Sequence, residues 1–362
     1  MHELTQLIKS DMKPALGVTE PGAIAFAVST AKSYLTGDVK KVLLRLNSGM
    51  YKNAFTCGIP GSSHVGNIYA AALGAVAGRP EKGLESLADV TEADNAAAER
   101  MVDAGMVEAK MTEITSRIFI EATVTTESGE AVVTIRDSHT NIVRITVNGE
   151  TVLSKEEETA GEAETKPLIH SYTLEQIYEY IDTVDVEEIR FIGDAFRMNY
   201  ELFEEGLNSP RTTYARYLLK KNGGEIISKD EQKTASLLCN AAIEARVIGL
   251  DKPAMSITGS GAHGIIATLP LYAVAKVNGL SDEKLLRATA LSYLVCMYIK
   301  EYSGRLSAFC GCAIAAGTGM ACGLTLLRDG TVEQMTHVIN NMASSITGMI
   351  CDGGNQGCTM KG

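Results

Sequence analysis

The sequence predicts an α+β fold: a mainly helical catalytic core carrying a small antiparallel-sheet subdomain. A period-2 pattern runs through 118–125, where Ile118, Ile120, Ala122 and Val124 interleave with Phe119, Glu121, Thr123 and Thr125. Two turn signals, Ser128-Gly129 and Asn148-Gly149, separate further short β-rich runs. From residue 174 onward the apolar spacing is helical almost to the end.

Taken in order, Thr19-Glu20-Pro21 opens a helix, with Thr19 as N-cap and Pro21 in the first turn, followed by apolar 23–35 and a stop at Gly37. Residues 42–46 read as a short strand. Gly58 to Ser63 is a turn in which Ser62 or Ser63 caps a helix running to Ala77. A helix is expected over 91–111, then strands at 118–125, 131–136, 142–147 and 151–153. Residues 155–166 are acidic and read as a linker. Helices follow at 174–184, 195–207, 212–221, 229–248, 269–277, 283–301 and 305–327, with a glycine-rich turn at 258–264. Thr331 and Gln334 form a capping box for a helix over 331–347, and a glycine-rich loop closes the chain between Cys351 and Cys358. The expected organisation is 1–87 as the first part of the catalytic core, 88–158 as the α+β subdomain, and 167–362 as the helical, cysteine-bearing part.

Composition narrows the function. A chain of 362 residues with 45% hydrophobic content can bury a large core. Its net charge of −11 disfavours phosphate backbones, so the expected partner is a small molecule and not nucleic acid. Residues 1–13 lack the apolar stretch of a signal peptide, which points to the cytoplasm. The uncharged run 306–327 is long enough to cross a bilayer, but its glycines, three cysteines and lack of flanking basic or aromatic belts favour a buried helix over a membrane span. Gly- and Ala-rich buried helices of this kind are also compatible with a homodimer.

Eight cysteines in a reducing compartment need a reason, and five of them follow Gly304. Cys239, Cys296 and Cys322 lie in apolar helical runs and read as small hydrophobes. Cys310-Gly311-Cys312 and the Cys351–Cys358 loop flank one helix, so antiparallel packing would bring them together. Thiolates ligate zinc and iron–sulfur centres, and this spacing does not match a zinc ribbon. Structural thiols remain the other reading. Among polar groups, Lys52-Asn53 with Gly61-Ser62-Ser63-His64, and Ser260-Gly261-Ala262-His263, would offer N–H groups at helix starts to an anion. Ordinary capping is the other reading, favoured for Ser62 or Ser63 taken alone, and His263 reads equally as a satisfied turn histidine. His2, His139, His170 and His337 read as solvated.

These segments together resemble the L-cysteine desulfidase family, which is related to the α chain of iron–sulfur L-serine dehydratase. The matching pieces are Lys13 to Pro21, Lys52-Asn53 with Gly58-Ile59-Pro60-Gly61, Thr258 to Gly264, Gly304-Arg305-Leu306-Ser307-Ala308 through Gly323, and Met349 to Gly353. The resemblance implies conversion of L-cysteine to sulfide, ammonia and pyruvate without pyridoxal phosphate, on a [4Fe–4S] cluster with one incompletely ligated iron. The alternatives are a serine-type dehydratase on the same cluster, or a cluster-less relative without catalysis. Cys312 and Cys351 match family cluster cysteines. The family's third cysteine, in Gly-Cys-Thr-Glu-Pro, is replaced here by Val18. Two repairs stand open: Cys358 completes the set, or Cys57 supplies a thiolate nearby. The expected ligands are therefore Cys312, Cys351 and Cys358. Substrate-binding candidates are Asn53, Gly61, Ser62, Ser260, Gly261, His263 and Arg305. Lys52, His64 and Cys57 are the candidates for the base. The resemblance also implies further helix beyond Cys358.

Overall fold

A computed structural model describes residues 1–155, 166–304 and 306–361. The expected linker at 155–166 and the candidate Arg305 therefore fall wholly or mostly outside the described residues. The fold is α+β, as expected.

The chain begins with α1 (Glu3–Asp11), β1 (Lys13–Leu16), α2 (Thr19–Ser33), β2 (Val39–Leu46), α3 (Ser48–Ala54), α4 (Gly66–Val76) and α5 (Glu92–Asp103). Strands β3 (Val107–Met111), β4 (Phe119–Thr126), β5 (Gly129–Arg136), β6 (Ile142–Val147) and β7 (Glu150–Ser154) follow. With β2 they form a six-stranded sheet in the order β3-β2-β4-β5-β6-β7. All its pairs are antiparallel except β2–β3, which is parallel. The alternation seen in the sequence is real: Ile120, Ala122, Val124, Ala131, Val133 and Ile135 are fully buried on one face, packed with Ile24, Val28, Leu44 and Leu73 in one apolar core.

The remainder is helical: α6 (Leu174–Thr183), α7 (Val186–Ile189), α8 (Gly193–Asn208), α9 (Tyr214–Lys221), α10 (Glu231–Val247), β8 (Pro253–Ser256), α11 (Gly261–Asn278), α12 (Asp282–Ser303), α13 (Gly317–Leu327), α14 (Val332–Ile346) and α15 (Gln356–Lys361). Its core joins Leu4 and Ile8 of α1 to Leu237, Ile265, Leu291 and their neighbours, and includes Cys239, Cys296 and Cys322 as buried packing residues. Glycines set the close approaches: a Cβ on Gly74 would stand 2.8 Å from the Ala25 backbone, so α2 and α4 cross almost in contact. Among the described residues no helix is long and apolar enough to cross a membrane.

Several local expectations need correction. The helix expected over 91–111 ends at Asp103; Gly105 takes a positive φ and β3 then pairs with β2, a tertiary choice that helical spacing alone does not reveal. The helix expected over 305–327 starts late. Residues 308–310 are instead extended against 349–351, joined by Cys310 N–H to the Met349 carbonyl and Cys351 N–H to the Ala308 carbonyl. A single π turn at Cys312–Ala316 then leads into α13. The N-cap of α2 is Val18, not Thr19, and α4 is capped by Val65 without a side-chain bond, so neither Ser62 nor Ser63 caps it. The pairing of β1 with β8 was not foreseen, because the partners lie some 240 residues apart.

Candidate active site

The site lies where the two apolar cores meet. Strand β1 runs from the helical part, beside β8, directly into α2, so the start of α2 faces the start of α11. The paired segments 308–310 and 349–351 close the third side, and the loop after Cys351 packs on α3. Between them is a cavity of about 70 Å³, lined by Val18, Glu20, Asn53, Arg246, His263, Lys300, Cys312, Cys351 and Cys358 among others.

Three of the expected site cysteines therefore share one space. Antiparallel return of the chain after α14 does this, as the flanking positions of the cysteines suggested. Glycine makes the closure possible: Gly353 has φ +84°, and an added Cβ would stand 2.6 Å from the Lys52 carbonyl oxygen. Asn355 Nδ2 donates to Thr56 Oγ1 at 3.0 Å, and Lys361 bridges Asp352 (2.6 Å) and the Ile350 carbonyl, fixing the loop at both ends. Cys310 adds a fourth sulfur beside Cys312. The hydrogen bond between the two thiols draws Cys310 down and, with burial and the neighbouring Cys358 and Cys351 sulfurs, pushes Cys312 up. Burial raises Cys358 as well.

Among the described residues, no group of three or more His, Cys, Asp or Glu side chains is close enough to hold a single metal ion. Cys312, Cys351 and Cys358 nevertheless all line the one cavity. In donor type, three thiols beside one cavity, they fit a thiolate-held cluster. Val18 lines the same cavity, and a Cβ on Gly354 would touch its Cγ1 at 3.1 Å. The position where the resembled family carries its third cysteine thus lines the same cavity as Cys312, Cys351 and Cys358.

A wall of polar side chains adjoins the cysteines. Glu20 is 6% exposed and accepts from Asn53 Nδ2 at 2.8 Å and from Thr19 Oγ1 at 3.2 Å. Burial would raise its carboxyl, but His139, the Asn53 bond and Arg246 together hold it below the ordinary range, so it is ionised at neutral pH. His263 is held well below an ordinary histidine by burial first, then by the Lys300 and Arg246 charges, and is neutral at pH 7. Thr258 Oγ1 donates to the Ile257 carbonyl at 2.7 Å and lies 2.6 Å from His263 Nδ1. A hydroxyl has one proton; with it on the carbonyl, Nδ1 carries the imidazole hydrogen and Nε2 keeps its lone pair. Nε2 lies over Gly311, 2.8 Å from where a Cβ would stand. Lys300, 5% exposed, is lowered by burial, partly offset by Cys296, Cys312 and Cys351.

The other residues singled out from sequence are distributed unevenly. Asn53, Ser260 and His263 line the cavity, and Gly261 lies under the Arg246 side chain at the start of α11. Lys52 sits at the rim, its Nζ 3.5 Å from the Ser307 carbonyl. Cys57 is fully buried and directs its thiol to the Asn53 carbonyl; burial and Glu20 raise it well above an ordinary thiol. Gly61, Ser62 and His64 turn elsewhere: Asn95 bonds Ser62 and the Gly61 carbonyl, while His64 pairs with Glu99 at 2.9 Å and stacks on Tyr69. Two histidines expected in solvent are buried: His139 beside Glu20, and His170, which bonds the Tyr298 carbonyl and stacks on Tyr302. Sequence reasoning missed Glu20, His139, Arg246 and Lys300. A charge inside an apolar helical run, as at Arg246 and Lys300, was the available signal.

A family model described as "Serine dehydratase alpha chain" matches residues 81–362. The chain belongs to that family. Membership suggests a dehydratase-type lyase, in a family associated with iron–sulfur-dependent dehydratases. A "UPF0597 protein" of Clostridium botulinum (strain Langeland) is 40% identical over 367 aligned positions, covering 99% of this chain and 84% of that protein. Similar proteins from Caldanaerobacter subterraneus (38% identical; 99% of this chain, 84% of the relative) and Clostridioides difficile strain 630 (36%; 98% and 84%) carry the same designation, which states no activity. No solved structure matches the chain.

Proposed function

We propose that this member of the serine dehydratase alpha chain family is an iron–sulfur-dependent, pyridoxal-phosphate-independent desulfidase that converts L-cysteine to sulfide, ammonia and pyruvate. One observation carries the reading: Cys312, Cys351 and Cys358 border the same cavity as the buried polar side chains of Glu20, Arg246 and His263. Cys312, Cys351 and Cys358 would hold such a cluster, which when bound would supply Lewis-acid assistance to the leaving sulfur. The chain's own groups supply the rest. His263, neutral with a free Nε2 lone pair, is the base that takes the α-proton. The C–S bond breaks as that proton leaves, and the released aminoacrylate hydrolyses to pyruvate and ammonia in water. Lys300, buried beside the sulfurs, provides positive charge where sulfide develops negative charge. Of the bases considered from sequence, His64 is occupied by Glu99, Cys57 is committed to the Asn53 carbonyl, and Lys52 stays at the rim.

The family match favours a second reading, in which the same site eliminates water from a hydroxy amino acid such as serine. Anaerobically purified protein is offered L-cysteine and L-serine separately, with sulfide and pyruvate measured. Sulfide with pyruvate from cysteine, well above pyruvate from serine, supports the desulfidase. The reverse order assigns the dehydratase, and pyruvate from neither defeats both.

A further inference from the structure

We infer that Thr258 is a positioning residue, kept in a strained turn so that its hydroxyl holds the His263 proton on Nδ1 and leaves the Nε2 lone pair available. The inference deepens the lyase reading and rests on it for the role of His263 as base.

The chain passes from β8 to α11 through Ile257-Thr258-Gly259-Ser260. Ser260 N–H donates to the Ile257 carbonyl at 3.0 Å, and Ile257 N–H to the Ser260 carbonyl at 3.2 Å. Both central residues have positive φ, +52° at Thr258 and +74° at Gly259, the pattern of a type I′ turn. Such a turn favours Asn-Gly, Asp-Gly or Gly-Gly. Threonine does not belong there, because its branched Cβ crowds the backbone in this region. The other non-glycine residues with positive φ among the described residues are Asp137, Asn148 and Asp329, types that tolerate it. The strain is held from outside the turn. Asp11 Oδ2 accepts the Thr258 N–H, and Ser256 Oγ donates to the Lys13 carbonyl at 2.6 Å where β1 pairs with β8. Thr258 is only half-buried, so its methyl group fills no core space that would offset the strain.

What threonine adds is a hydroxyl beside His263. Oγ1 lies 2.6 Å from His263 Nδ1 and 2.7 Å from the Ile257 carbonyl oxygen, and it has one proton to give. With that proton on the carbonyl and the imidazole hydrogen on Nδ1, both contacts are hydrogen bonds. With the hydroxyl turned to a bare Nδ1, only one is. The two-bond arrangement therefore wins, and in it Nε2 carries no hydrogen. His263 is 5% exposed in the first turn of α11, so bulk water competes poorly for Nδ1. Glycine at 258 would suit the turn better and leave the tautomer unset. Serine keeps the hydroxyl and loses only the branch.

The test is 15N NMR of the full chain, labelled at histidine and purified anaerobically, with the His263 signals assigned by their absence from His263→Asn. Wild type and Thr258→Ser should carry the hydrogen on Nδ1. Thr258→Gly should show Nε2–H, or a mixture of the two tautomers. On the same samples, kcat for pyruvate release from the better of L-cysteine and L-serine should fall about tenfold or more in Thr258→Gly with KM little changed, and Thr258→Ser should stay within about threefold of wild type. Urea titration of Thr258→Gly should show no loss of stability, since relief of the strained φ offsets the lost hydroxyl bonds; the tautomer decides the matter whatever the midpoint does. Nε2–H in the wild type, Nδ1–H retained in Thr258→Gly, kcat unmoved by that variant, or a loss confined to KM would each overturn the inference. A tautomer that depends on Thr258 in protein that turns over neither substrate would refute the lyase reading and leave the positioning role standing.

Discussion

Gly353→Ala tests how the cysteine loop is seated. The glycine sits at φ +84°, a region that costs an L-residue about 1–2 kcal/mol. An alanine Cβ would lie 2.6 Å from the Lys52 carbonyl oxygen, 3.1 Å from its carbon and 3.2 Å from the Asn53 α-carbon. Real Cβ contacts do not close below 3.0 Å, and the atoms met are backbone, which cannot rotate away. Overpacking of this kind costs about 1–3 kcal/mol, so the total is about 2–5 kcal/mol, acting on the loop and not on either core. The loop should lift from α3 and carry Cys351 and Cys358 with it. Iron content of anaerobically purified protein should fall several-fold, while the urea midpoint of the main transition moves little. Gly348→Ala is the control, since nothing lies within 4 Å of its added Cβ and its φ is not positive. Full iron content in Gly353→Ala would refute the reasoning.

Other outcomes follow from the same geometry. Val18→Cys should raise iron bound per chain and slow its loss in air, because position 18 lines the same cavity as Cys312, Cys351 and Cys358; unchanged iron content would remove position 18 from the cluster's surroundings. Cys358→Ala should lose iron while Cys57→Ala keeps it, since only the former lines the cavity; the opposite pattern in iron and sulfide assays would move the third thiolate to Cys57. His263 has a depressed folded-state value, so it binds fewer protons folded than unfolded. Its contribution is intact above about pH 6.5 and is lost as pH falls below that, by up to about 1.4 kcal/mol per pH unit until its folded-state value is reached. His263→Asn should flatten that part of the pH–stability curve measured by urea titration; an unchanged slope would show that the ring is not held neutral.

Local chemistry was well written in the sequence. Alternation at 118–125 gave β4, Ser128-Gly129 and Asn148-Gly149 gave the hairpin turns, and Thr331 with Gln334 formed the expected capping box. Long-range choices were not. Strand β3 carries helix-compatible residues and becomes a strand only because β2 offers an edge. Residues 308–310 extend because the returning chain pairs with them. In the site, the cysteines were legible from spacing and family likeness, whereas the polar wall was not. Glu20 stood in a recognised segment but looked like a first-turn acid, and His139 looked like a loop histidine until the turn after β5 brought it to Glu20. Glu244 shows the same ambiguity with a different outcome. It too is a charge inside the apolar run of α10, yet it accepts the N–H groups of Thr213, Tyr214 and Ala215 and so caps α9, while Arg246 two residues on faces the cavity. Which charge is structural and which is functional depends on what packs opposite.

The most direct measurement is iron and acid-labile sulfide per chain in anaerobically purified wild type and Cys351→Ala, with sulfide release from L-cysteine assayed on the same samples. The account predicts iron and sulfide in equal amounts in the wild type, and loss of both together with turnover in the variant. Turnover persisting in iron-free protein, or undiminished in Cys351→Ala, would contradict it.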